Sequence, residues 1–157
     1  MSESQAWLPI EDLIDGIPNE FLRFMKARAV WVSGFRSVVD NGRGHSVVVD
    51  LPRQDKGEDS GPTALELAAM SYVGCVATIF KIVADKRGLK FDGLEIELDA
   101  SKGEKTIERG TAKLVVKSLA KKEEVENVLR LTLQTCPVGV IFDNGGVKID
   151  WQVEVHP

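Results

Sequence analysis

The sequence predicts an α+β domain, and three observations carry that prediction. Leu65, Ala68, Ala69, Tyr72, Val76, Ile79, Phe80 and Val83 recur at helical spacing until Gly88 stops them. Val125, Val128, Leu129, Thr132 and Cys136 mark one face of a second helix that begins near Lys121. Around these helices the period changes to two, most cleanly in VKIDWQVEV, where Val147, Ile149, Trp151, Val153 and Val155 alternate with polar residues.

Taken in order, residues 1–23 read as an appended arm with a short helix, PIEDLID, opened by Pro9. Residues 24–157 form the main domain. Phe24 to Val39 reads as one strand, with Met25, Ala27, Ala29 and Trp31 alternating against Lys26 and Arg28. DNGRG (40–44) turns the chain into HSVVVDL (45–51), and PRQDKGEDSG (52–61) is a polar loop of the kind that often carries function. Thr63 caps the first helix after Pro62, and Thr63-Ala64-Leu65-Glu66 has the form of a capping box. LEIELDA (94–100) and TAKLVVK (111–117) alternate as a hairpin, the second helix runs into Cys136-Pro137, and NGG (144–146) leads into the last strand. The predicted order is β-β-α-β-β-α-β, with antiparallel strands covering the helices.

Composition narrows the function classes. The 157 residues carry a net charge of −4 and a pI near 5.3, with no Lys/Arg cluster, which argues against a nucleic-acid partner. MSESQAWLPIEDLIDG is acidic and lacks the basic and apolar regions of a signal peptide, and no apolar run is expected to reach the ~20 residues of a membrane span. The expected address is cytoplasmic, where thiols stay reduced. His45 and His156 lack metal-ligand spacing, and NGG and NGRG are turns rather than phosphate cradles. Tyr72 is expected in the core, and Trp7 and Trp31 as core or dimer contacts.

The chain has two cysteines, Cys75 and Cys136, both on helices. They admit three readings: small buried hydrophobes, a structural disulfide closing a loop of roughly 60 residues and worth about 4 kcal/mol, or a redox pair. In the redox reading a thiolate attacks a peroxide and the second thiol traps the sulfenic acid. Cys136 lies at a helix C-terminus, where the macrodipole disfavours an anion, as suits a resolving thiol. Cys75 lies about 80° from the centre of the apolar stripe, about three turns into its helix, and needs a separate cation to ionise.

GEDSGPTALELAAMSYVGC, followed some way downstream by TCPVG, resembles the OsmC/Ohr family of osmotically induced and organic-hydroperoxide-resistance proteins. GFRS and HSVVVDLP extend the likeness to residues 24–157. The resemblance implies an interlocked homodimer that reduces organic hydroperoxides with a reactive cysteine, a resolving cysteine, an arginine and a glutamate. On it, Cys75 is the attacker, Cys136 the resolver and Arg36 of GFRS the activating cation, with Arg43 as the alternative. No cofactor is expected beyond an external dithiol or lipoyl-type reductant. The family glutamate, ten residues before the first cysteine, falls on Leu65 here. Its neighbour Glu66 faces the opposite side of the helix from Cys75 and suits the capping box better than catalysis. Glu58 or Asp59 of the 52–61 loop is a substitute acid. The alternative reading, favoured by Leu65, is a non-catalytic dimer that binds a small apolar ligand or serves as a scaffold.

Overall fold

The computed structural model describes residues 24–157, and the expected N-terminal arm, with Pro9 and Trp7, lies outside them. The chain divides into two compact units, one ending at Met70 and the other beginning at Ser71.

The first unit contains an antiparallel sheet of β1 (Arg28–Ser33), β2 (Arg36–Asp40) and β3 (Ser46–Val49), in that order. The single strand expected over residues 24–39 is therefore two strands. Gly34 and Phe35 form a two-residue turn between the paired Ser33 and Arg36, with Gly34 at φ 54°. A Gly-X pair suits a tight hairpin, but without Asn or Asp it is easily read as strand end. Val30, Trp31, Val32 and Phe35 are exposed, so Trp31 is not a core residue; its indole N–H donates to the Gly34 carbonyl at 2.9 Å. A short 3-10 turn, Arg53–Asp55, interrupts the polar loop after β3.

Helix α1 (Ala64–Arg87) begins at the expected cap and continues from the first unit into the second. Its buried residues, Tyr72, Val76, Phe80, Val83 and Ala84, follow the predicted stripe. Contrary to expectation, α1 is long and apolar enough, by length and composition, to cross a membrane, although only 28% of its most apolar stretch is buried. Small residues cause the discrepancy: Ala, Gly and Ser between the large side chains keep the whole run apolar without forming a continuous block of Leu, Ile or Val.

The second unit holds β4 (Gly93–Lys102), β5 (Ile107–Lys117) and β6 (Lys148–His156) in the order β4-β5-β6. β4 and β5 are antiparallel, but β6 runs parallel to β5, so the sheet is mixed rather than wholly antiparallel. The crossover joining β5 to β6 contains α2 (Lys122–Thr135) and α3 (Pro137–Asn144), the kind of long connection that a parallel pair requires. Ala112, Leu114 and Val116 of β5 are fully buried, as is Val125 of α2. The stop expected at Pro137 is instead a new helix start. Proline at the first helical position sacrifices only an N–H that has no partner there. The architecture of the described residues is α+β, with three α-helices and two sheets.

Candidate functional site

Two groups of residues carry chemistry, one in each unit. In the second unit, Cys75 of α1 is half-buried and Cys136 fully buried, and both are free thiols. The fold brings them together: Cys75 is among the neighbours that act on the Cys136 thiol.

Cys136 is the C-cap of α2 and also the N-cap of α3. Its Sγ accepts the Gly139 N–H at 3.3 Å, so the helix-end argument made from sequence is incomplete. The negative end of α2 and the positive end of α3 meet at this residue and oppose one another. Burial decides the outcome. Burial first, and the neighbouring Cys75 after it, push the Cys136 thiol up to about 12, while the Gly139 and Val138 amides act against them. The Cys136 thiol therefore keeps its proton.

Tyr72, one turn before Cys75, is buried near Cys136, both lying beside Gly139. Its ring lies 4.8 Å from Phe142 and 6.3 Å from Trp151, centroid to centroid. Burial raises the Tyr72 hydroxyl pKa, and a hydrogen bond from the Trp151 indole N–H only partly offsets that. Tyr72 is thus a neutral, buried neighbour of Cys136, consistent with the expected core role. Gly139 completes the packing: a Cβ there would stand 3.3 Å from Cys136 Cβ and 3.5 Å from its Sγ.

In the first unit, Arg36 opens β2 and forms an ion pair, through Nη2, with Glu58 of the polar loop. Glu58 is largely exposed and Arg36 partly so, a setting in which an ion pair contributes about 0–1 kcal/mol to stability. Its Nε–H is the one buried side-chain polar atom among the described residues without a hydrogen-bond partner. A guanidinium carries five N–H donors, so one anchored to a carboxylate through Nη2 keeps others for an oxygen ligand.

Glu66 makes the capping box expected from its sequence. Thr63 N–H donates to Glu66 Oε2 at 2.7 Å, and Glu66 N–H donates to Thr63 Oγ1 at 3.2 Å. These bonds hold its carboxyl below the usual carboxylate range. No side-chain hydrogen bond or ion pair joins Arg43 or Asp59 to the Arg36–Glu58 pair; the Arg43 backbone N–H donates to Asn41 Oδ1 at 2.9 Å. His45 Nδ1 lies 2.9 Å from Asn41 Nδ2, and His156 lies 3.5 Å from Glu154, so neither histidine joins the cysteines. No group of three metal-ligating side chains is present among the described residues. Sequence reasoning did not single out Asp50, whose carboxylate organises the loop that holds Glu58. The available signal was an acidic residue ending an apolar strand immediately before Leu51-Pro52.

The family profile of OsmC-like proteins matches residues 57–152. No curated protein matches the sequence. Among solved structures, an OsmC-like protein from Mycoplasma pneumoniae is 12% identical with a TM-score of 0.77, covering 86% of this chain and 99% of that one. An organic hydroperoxide resistance protein from Legionella pneumophila is 19% identical with a TM-score of 0.66, covering 85% and 98%. OhrB of Bacillus subtilis, an organic hydroperoxide resistance protein, is 17% identical with a TM-score of 0.62, covering 85% and 99%. At these identities the likeness is one of fold.

Proposed function

This chain belongs to the OsmC family, and from that membership and the pairing of its two thiols we propose that it is a thiol-dependent peroxidase acting on organic hydroperoxides. The observation that carries the reading is the asymmetry of the pair. A half-buried Cys75 neighbours a fully buried Cys136 whose thiol is held protonated chiefly by burial.

The Cys75 thiolate attacks the terminal oxygen of the hydroperoxide, the O–O bond breaks, and the alkoxide leaves as an alcohol once protonated. Cys136 then attacks the Cys75 sulfenic acid, giving water and a Cys75–Cys136 disulfide. An external dithiol reduces that disulfide and is itself oxidised to its own disulfide. We assign Arg36 to stabilise the Cys75 thiolate and the peroxide oxygen, and Glu58 to hold the guanidinium in place. Glu66 keeps its capping role. The half-buried apolar neighbours Val73 and Ile79 favour an organic substrate over hydrogen peroxide, while Val76 lies in the core.

The working unit is a homodimer in this reading. Trp31 and Phe35 are more than half exposed, and so is Met70, which leaves apolar surface of the kind proteins cover by association. Sedimentation is expected to give twice the 17.2 kDa chain mass; a stable monomer at micromolar concentration would remove the dimer from the proposal.

Thiol counting after one equivalent of cumene hydroperoxide tests the chemistry. The expected result is rapid loss of both thiols in the unmodified chain, and a single turnover ending at Cys75 sulfenic acid in Cys136→Ser. Full multi-turnover activity in Cys136→Ser would refute the assignment of roles. Arg36→Ala is expected to slow Cys75 oxidation about ten-fold or more, the effect of losing a close opposite charge, and Arg43→Ala to leave it unchanged. Leu65 at the family glutamate position favours a second reading, a non-catalytic dimer that binds an apolar ligand or acts as a scaffold, and for that protein the thiol count stays constant.

A further inference from the structure

Asp50 is the last residue before the polar loop, and its side chain is almost wholly enclosed, at 2% exposure. Its Oδ1 accepts the Leu51 N–H at 2.8 Å. Three donors converge on Oδ2: the Glu58 N–H at 3.2 Å, the Ser60 N–H at 3.2 Å and the Ser60 hydroxyl at 2.7 Å. An ionised carboxylate is acceptor-only at both oxygens and so suits a site where every facing group is a donor. The residues spanned by these bonds also have little freedom of their own. Lys56 and Asp59 sit in the left-handed region at φ 68° and 58°. A Cβ on Gly57 would lie 1.8 Å from the Leu51 carbonyl oxygen, and one on Gly61 would lie 2.1 Å from that of Val48. Non-glycine residues persist in such backbone only where the surroundings over-determine it.

The product of this construction is the placement of Glu58. Its backbone is tied to Asp50 and its side chain to Arg36, so the carboxylate that meets the guanidinium hangs from the buried one. We infer that Asp50 is the positioning residue that fixes Glu58 against Arg36, and thereby aims the guanidinium, through a chain of hydrogen bonds Asp50–Glu58–Arg36. The consequence for catalysis rests on the peroxidase reading above; the positioning itself does not.

The test is NMR on the full chain, comparing the unmodified protein with Asp50→Asn, Ser60→Ala and Glu58→Gln. The observables are hydrogen exchange at the Glu58 and Ser60 amides and the Arg36 Nε–H resonance. An asparagine amide cannot accept at both ends, so Asp50→Asn must leave donors facing donors. The expected result is exchange about ten-fold faster or more at both amides, the scale of a lost hydrogen bond to a charged group. The Arg36 resonance is expected to move to its position in Glu58→Gln, while the β2 and β3 amides keep their protection. A purely structural Asp50 would not move the Arg36 resonance in this way, and an unchanged resonance overturns the inference. If Asp50→Asn does not fold, Ser60→Ala decides: the same movement, smaller, supports the inference, and none overturns it. Hydroperoxide turnover separates the two readings. Full activity in Glu58→Gln would take the Arg36–Glu58 pair out of the chemistry while leaving the hold of Asp50 on Glu58 as the NMR finds it.

Discussion

Replacing Cys75 by serine leaves Cys136 as the only thiol, in the same buried pocket and with a hydroxyl where the partner sulfur stood. Burial is untouched, and it is the largest of the influences that together raise the thiol from an ordinary 9.0 to about 12; the smaller contribution of Cys75 is lost. Each unit of displacement that burial retains corresponds to about ten-fold in thiolate population at any pH below both values. At pH 9 the unfolded chain would hold Cys136 half ionised, whereas the folded chain is expected to hold about a tenth of the molecules ionised or fewer. Thiolate absorbance at 240 nm reads this directly, with the Cys75→Ser/Cys136→Ser double variant subtracted to remove the single tyrosine. Folded Cys75→Ser is expected to show no thiolate step between pH 7 and 10, and the same protein in urea a step centred near 9. A folded-state midpoint at or below 9 would refute the reasoning. It would mean that the amides at the start of α3 outweigh burial, making Cys136 as fit an attacker as Cys75.

Three further outcomes are expected. Glu66→Gln keeps its activity within about two-fold, because glutamine still closes the capping box with Thr63, whereas Thr63→Ala lowers stability by about 1 kcal/mol in thermal melts. Phe80→Ala empties the largest fully buried side-chain site and is expected to cost about 3–5 kcal/mol, lowering the melting temperature by about 10 °C or more. Asp50 is held at about 2, below an ordinary 3.8, chiefly by the Ser60 hydroxyl hydrogen bond. Its contribution is therefore fully present above the unfolded value and lost as pH falls from about 4 through 2. Acid unfolding followed by circular dichroism is expected to be steeper across that window in the unmodified chain than in Asp50→Asn.

Much of this protein was legible in one dimension because its helices bury stripes and its strands bury alternate residues, and both patterns are local. The buried faces of α1 and α2, the hairpin β4–β5, the alternation of β6 and the Thr63–Glu66 box follow from spacings of two to four residues. The candidates Cys75, Cys136 and Arg36 were legible as residue types in a family pattern. What spacing did not carry was direction and company. Gly34-Phe35 reads as strand until Ser33 is seen paired with Arg36. Pro137 reads as a stop until Cys136 is seen capping the next helix, and β6 reads as antiparallel until it is seen beside β5. Company mattered most at the chemistry. The sequence determined that two thiols, an arginine and several acids exist; tertiary structure decided that Cys136 loses its solvent, that Arg36 takes Glu58, and that Asp50 ties down the loop between them. The physical reason is that desolvation and hydrogen bonding depend on what lies within a few ångströms, and residues eight to sixty positions apart become neighbours only when the backbone has folded.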